Sequence, residues 1–168
     1  MDVLVVFETM FGNTERIARA IADGLGERAH VTVVNVADAP PEVPATVDLL
    51  VVGGPTHAFS MSRESTRRGA VQRGASAGAA DPGIREWLEA LPSDIHPQTF
   101  AGFDTRVHVP LLPGAASHSA TRLARRRGFG VTKPQSFLVE GYEGPVSPGE
   151  LERARAWGEQ LVTERVSV

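Results

Sequence analysis

The sequence contains no cysteine, one tyrosine and, against sixteen arginines, one lysine. Without cysteine there is no disulfide, no thiolate-held iron–sulfur cluster and no thiol nucleophile. Nothing in the chain then reports on its redox compartment. Long apolar runs are also missing: none approaches the roughly 18 residues that read as a membrane span. The amino terminus passes from Asp2 into the short apolar run Val3 to Phe7 without a basic stretch before it, so no signal peptide is expected and a cytoplasmic location is the default. Charge of one sign is scarce as well. A formal charge of −3 does not predict nucleic-acid binding, which needs a basic face or stripe. Arg125-Arg126-Arg127 reads as a solvated helix face.

What is present suits one globular domain over residues 1–168, with 42% hydrophobic and 22% charged residues. Val3 to Phe7, Val31 to Val36 and Val47 to Gly54 are short apolar runs rich in β-branched residues, the pattern of strands covered on both faces. Thr105 to Val109 and Gln135 to Glu140 are expected to be strands four and five. Between them fall helical periodicities. Ile17, Ile21 and Leu25 share a stripe that Gly24 and Gly26 end, and further helices are expected over 82–91, 117–127 (capped by Gly128) and 149–164. Trp87 and Trp157 fall on the inward stripes of their helices. From Pro55 to Gly83 no firm period exists, apart from a helical stretch around 62–71; a connection of that length is functional or mobile. Alternating strands and helices imply a doubly wound α/β fold with a five-stranded parallel sheet in the order 2-1-3-4-5. Ligands in such folds sit at the carboxyl ends of strands one and three.

The loops at those two ends carry the chemistry. The first, from Glu8 to Glu15, offers what a phosphate requires: short polar side chains in Thr9, Asn13 and Thr14, a permissive Gly12, and the positive end of a following helix. Thr14 as a plain helix cap explains the same residues equally well. The second loop runs Gly53-Gly54-Pro55-Thr56-His57-Ala58-Phe59-Ser60-Met61. His108 and His118 lack a third ligand at metal spacing, so no metal is expected. Ser60, Ser62 and Ser65 lack a nucleophile-elbow context. Tyr142 follows strand five and reads more readily as a turn-packing residue than as a ligand contact.

From Val5 to Arg16 the sequence VVFETMFGNTER resembles the phosphate loop of the flavodoxin family, a strand followed by Ser/Thr-x-x-Gly-Asn-Thr. It is neither a P-loop nor a dinucleotide fingerprint. The resemblance implies a flavodoxin-like three-layer sandwich that binds FMN. It implies that Thr9, Met10, Phe11, Gly12, Asn13 and Thr14 wrap the phosphate, and that Pro55, Thr56, His57, Ala58 and Phe59 pass beside the flavin ring, as in the Gly-x-Pro-Thr branches. The segment from Pro110 to His118 stands where the family places its third flavin contact, but has neither the tyrosine nor the acids of electron carriers. No glycine lies between Thr56 and Met61, where such carriers commonly have one.

The implied protein is a flavoprotein in electron transport, exchanging electrons with a redox partner protein or a small-molecule acceptor, with no membrane or nucleic-acid partner. Two alternatives stay open: an FMN-dependent NAD(P)H/quinone-type oxidoreductase, and a flavin-free scaffold. Electron carriers of the family usually surround the flavin edge with acidic residues, whereas Arg67, Arg68 and Arg73 stand near that edge here. The oligomeric state is not legible.

Overall fold

The computed structural model describes residues 1–111 and 113–166. The apolar runs assemble into one mostly parallel sheet. β1 (Asp2–Phe7) lies between β2 (His30–Asn35) and β3 (Leu49–His57). Its whole length is in register with β2, from Asp2↔His30 to Phe7↔Asn35. β3 folds back on itself through the two-residue β4 (Ser60–Met61) and pairs on its other side with β5 (His96–Val107). The fifth position is divided between β6 (Phe129–Val131) and β7 (Gln135–Val139), which pair with successive parts of β5. Strand order across the five positions is the expected 2-1-3-4-5. The division falls at residues 132–134, where Pro134 has no N–H to give a ladder.

Two strand boundaries differ from expectation by more than two residues. The fourth strand begins at His96, well before Thr105. Gln98, Asp104 and Thr105 are all buried within it, and such polar residues break the apolar pattern by which a central strand is recognised. The third strand continues past Gly54 through Pro55, Thr56 and His57.

Side-chain alternation sorts the sheet into two cores. Val3, Val5, Phe7, Leu49 and Val51 face α1 (Asn13–Leu25) and α5 (Glu150–Val166). Leu4, Val6, Leu50 and Val52 face the opposite layer. That layer holds α3 (Ile84–Ala90) and α4 (Ala116–Arg127), the last ended by Gly128 at φ +101°, while α2 (Glu64–Gln72) buries Ala70 in a separate cluster with Met10. Ile17, Ile21 and Leu25 are fully buried, each contributing about 1.5–3 kcal/mol relative to exposure. Trp157 packs edge-on to Phe103, while Trp87 is half-buried and donates from Nε1 to Pro40 O at 2.8 Å. Arg125 and Arg126 are exposed, as a solvated face requires. Among the described residues no helix is long and apolar enough to cross a membrane.

Gly24 does not end α1. It lies inside the helix and is buried where α5 crosses. A Cβ there would stand 1.9 Å from Arg155 O, and one on Gly158 would stand 2.2 Å from Ile21 O. The two backbones therefore touch through a glycine from each helix. Gly158→Ala is expected to destabilise the protein by roughly 1–3 kcal/mol, the usual cost of overpacking and enough to exceed alanine's better helix propensity. Chemical denaturation measures this directly.

Candidate functional site

The first loop turns sharply from β1 into α1. Gly12, at φ +90°, occupies the N-cap position, where a side chain in the left-handed region would be strained. Its N–H donates to Thr9 Oγ1 at 2.9 Å, and its carbonyl accepts from Arg16 N. The N–H groups of Asn13, Thr14 and Glu15 have no partner within the helix, because a first turn leaves its donors free. Thr14 is therefore not the cap. Its hydroxyl lies buried in the first turn, 2.8 Å from Thr105 Oγ1 on β5. Asn13 ties the loop to the segment after β7, donating from Nδ2 to Glu143 O at 2.9 Å.

The second loop is a hairpin. Pro55, Thr56 and His57 complete β3, and Thr56 Oγ1 accepts from Ala116 N at 3.1 Å, fastening the start of α4. His57 Nδ1 lies 3.0 Å from Thr66 Oγ1. Burial, then the charges of Arg67 and Arg73, push its pKa down to about 4. Ala58 and Phe59 form the tip with φ of +46° and +66°, values that two-residue hairpins need and that Asn-Gly normally supplies. Phe59 is 51% exposed, so it is not a core residue.

A cleft opens between the loops. Thr9, Met10, Phe11, Asn13, Thr14, Pro55, Thr56 and His57 line it. Gly12, Ala58 and Phe59 are not among its lining residues. Its remaining walls are Thr105, Arg106, Val107, Val139 and Tyr142, none of which the sequence brought to the site. Their shared signal was position: all lie at the carboxyl ends of strands four and five or just beyond. Tyr142 packs as a turn residue does, edge-on to Phe11 at 5.5 Å, and it also faces the cleft beside His57, 6.5 Å away with rings 26° apart. Arg73 lies over its ring at 4.7 Å. In the segment after β5, Pro110 and Leu111 are exposed; Leu112 lies outside the described residues.

Beneath the cleft is a buried ionic cluster that the sequence did not reveal. Glu8 is 4% exposed and accepts from Ser62 Oγ at 2.5 Å. Arg67, 2% exposed, donates to Ser62 Oγ at 2.9 Å and to Glu86 Oε1 at 2.7 Å, and its guanidinium reaches within 3.9 Å of Glu8. Burial raises the Glu8 pKa despite these partners. Gly83 makes the room, since a Cβ there would stand 2.0 Å from Glu8 Oε1. The patternless stretch from Pro55 to Gly83 is thus an ordered layer pinned to the phosphate-type loop. Arg67 is one of its anchors and not a surface cation. Asp104, also raised by burial, accepts from Ser117 N at 2.9 Å and Ser136 Oγ at 3.1 Å, joining β5, α4 and β7. No group of three or more metal-ligating side chains occurs among the described residues.

Arg67→Met strands Glu8 as a buried carboxylate, and is expected to cost roughly 3–5 kcal/mol in chemical denaturation. His57 is neutral in the folded state down to about pH 4, whereas an unfolded histidine protonates near pH 6.5. Its contribution to stability is therefore complete above about pH 6.5 and is lost as pH falls towards 4. His57→Gln should flatten stability across that window, and the ring resonances of His57 should show no titration above pH 5.

Comparisons with known proteins agree with this geometry. Residues 5–72 match the sequence model of the flavodoxin family, described as Flavodoxin. A flavodoxin from the domain Archaea superposes with a TM-score of 0.67 at 18% identity, covering 100% of both chains. Oxidised flavodoxin 1 from Bacillus cereus gives 0.69 at 17% identity, covering 97% of this chain and 98% of its own. The two-electron reduced flavodoxin of Megasphaera elsdenii gives 0.57 at 18% identity, over 94% and 98%. No curated protein sequence matches at a significant level. The chain thus resembles the flavodoxin family in sequence over residues 5–72, and its fold is flavodoxin-like from end to end.

Proposed function

We propose that the chain binds FMN in this cleft and acts in electron transfer. The observation that carries the reading is the start of α1. Three first-turn N–H groups, an open left-handed Gly12 and the helix dipole coincide where Thr9, Asn13 and Thr14 line the cleft. Its chain neighbours apart, no atom lies within 4 Å of where a Gly12 Cβ would be, so the turn has space beside it for an anion. That donor set suits a phosphate monoester. FMN, when bound, would supply the electron-accepting ring.

The chain's own residues would do the rest. Backbone N–H groups of residues 13–15 would hold the phosphate, with the Thr14 and Thr105 hydroxyls beside it. Pro55 and Thr56 would line the path towards the ring. Phe11, His57 and Tyr142 would keep water from its face, and stacking of this kind contributes about 0.5–1.5 kcal/mol beyond area burial. His57 is neutral at pH 7, so it adds no positive charge against the ring.

Titration of the purified protein with FMN tests this, followed by visible absorption and flavin fluorescence. One-to-one binding with quenched fluorescence is expected. Thr14→Val is expected to weaken binding about tenfold, corresponding to roughly 1.4 kcal/mol, while leaving the far-ultraviolet circular dichroism unchanged. Rapid direct oxidation of NADPH by the loaded protein would make it a reductase instead. No binding at micromolar flavin would leave a flavin-free scaffold.

A further inference from the structure

Residues 105–139 contain five arginines, one lysine and no carboxylate side chain, although the chain holds 20 aspartates and glutamates in all. Four of those arginines belong to α4. Other helices carry both signs and pair them within a turn: Glu15 with Arg19 on α1, Glu64 with Arg68 on α2, and Glu150 with Arg153 on α5. On α4 the apolar side, with Ala116, Ala120, Leu123 and Ala124, lies in the core. Arg122, Arg125 and Arg126 therefore share the exposed side. Spaced three and four apart, they are neighbours of like sign, which weakens a helix. None of the three forms an ion pair among the described residues.

Helix ending explains only part of this. Basic groups in a last turn oppose the negative pole of the dipole, and Arg127 is fixed there, donating to Ser93 Oγ at 2.7 Å. Arg122 lies a turn earlier, where the pole's effect has fallen off. The elements packed on α4 supply no free acid either. They are α3, β3, β4, β5 and β6. Of their carboxylates, Asp104 is buried, Glu86 holds Arg67, and Glu89 stands near Arg85 on its own helix. Asp94, on the loop before β5, accepts from Ile95 N at 2.7 Å. Three cations are thus left unmatched on one face of a chain whose net charge is −3.

This face is separate from the cleft. α4 starts at the hydroxyl of Thr56, and its length carries the last turn about 18 Å away. Beside that far end stands Ile95, 89% exposed, on the loop that touches Gly128.

We infer that the exposed face of α4 binds an acidic protein segment, with carboxylates about one helical turn apart and an apolar residue against Ile95. Guanidinium forks pair bidentately with carboxylates. An anionic membrane fits less well, because α4 has no apolar side left to enter the lipid. Single-stranded nucleic acid needs aromatic rings to stack on, and the exposed Phe59 and Tyr142 lie at the cleft instead. Duplex binders neutralise about 6–10 phosphates, more than these arginines reach. The inference does not depend on FMN binding.

The probe is a synthetic helical peptide with glutamate at every fourth position and a terminal leucine; its control carries glutamine instead. Amide NMR titration at low ionic strength should move residues 94–96 and 118–128 with the glutamate peptide alone. Arg122→Gln, Arg125→Gln and Arg126→Gln combined should weaken binding about tenfold or more, and added salt should weaken it likewise. Arg16→Gln, Arg28→Gln and Arg155→Gln combined remove equal charge from exposed positions elsewhere, and should change binding by less than about twofold. Arg122→Gln alone should raise the melting temperature at low salt by relieving like-charge repulsion. A fall would show that arginine engaged within the chain, and would overturn the proposal. Absence of shifts on α4, or equal weakening by both triple variants, would overturn it too. So would tighter binding of phosphatidylcholine–phosphatidylserine vesicles or of a short DNA duplex at the same residues.

Discussion

β1 is buried on both faces up to Phe7, and Glu8 immediately follows with a carboxylate almost wholly withdrawn from water. That carboxylate is tolerable because Ser62 donates to it and Arg67 lies beside it, itself held by Glu86. A charge buried without such partners costs several kcal/mol. The requirement therefore recruits residues from β4 to α3 onto the end of β1. The turn through Gly12 and the first turn of α1 are placed by the same constraint, and the cleft follows from their position.

Above this cluster the cleft is assembled by hydrogen bonds between segments distant in sequence. Thr14 meets Thr105, Thr56 holds Ala116, and Asn13 holds Glu143. Each bond joins residues at or beyond the carboxyl ends of two different strands. The phosphate-type loop, the hairpin and the segment carrying Tyr142 are thereby one unit. Asp104 braces the same unit from below.

The arginines divide by environment. Arg67 is interior and structural, Arg68 is engaged on its own helix, and Arg73 and Arg106 face the mouth of the cleft. A run of basic residues in a sequence does not distinguish these roles, because burial and pairing depend on what the chain brings opposite. Tyr142 shows the same dependence. Its turn position is local, but its place beside Phe11 and His57 depends on Asn13 reaching across to Glu143.

The sequence by itself determined the alternation of strands and helices, the strand order and the two loops that line the cleft. Those follow from periodicity, glycine placement and the handedness of βαβ crossovers, all of which act over short stretches of chain. The early start of β5, the divided fifth strand, the buried Glu8–Arg67 cluster and the walls formed by Thr105, Arg106, Val107, Val139 and Tyr142 were decided only by tertiary structure. Polar residues such as Gln98 and Asp104 are admitted to the interior when distant segments satisfy them. That satisfaction is a property of three-dimensional neighbours, which no local pattern encodes.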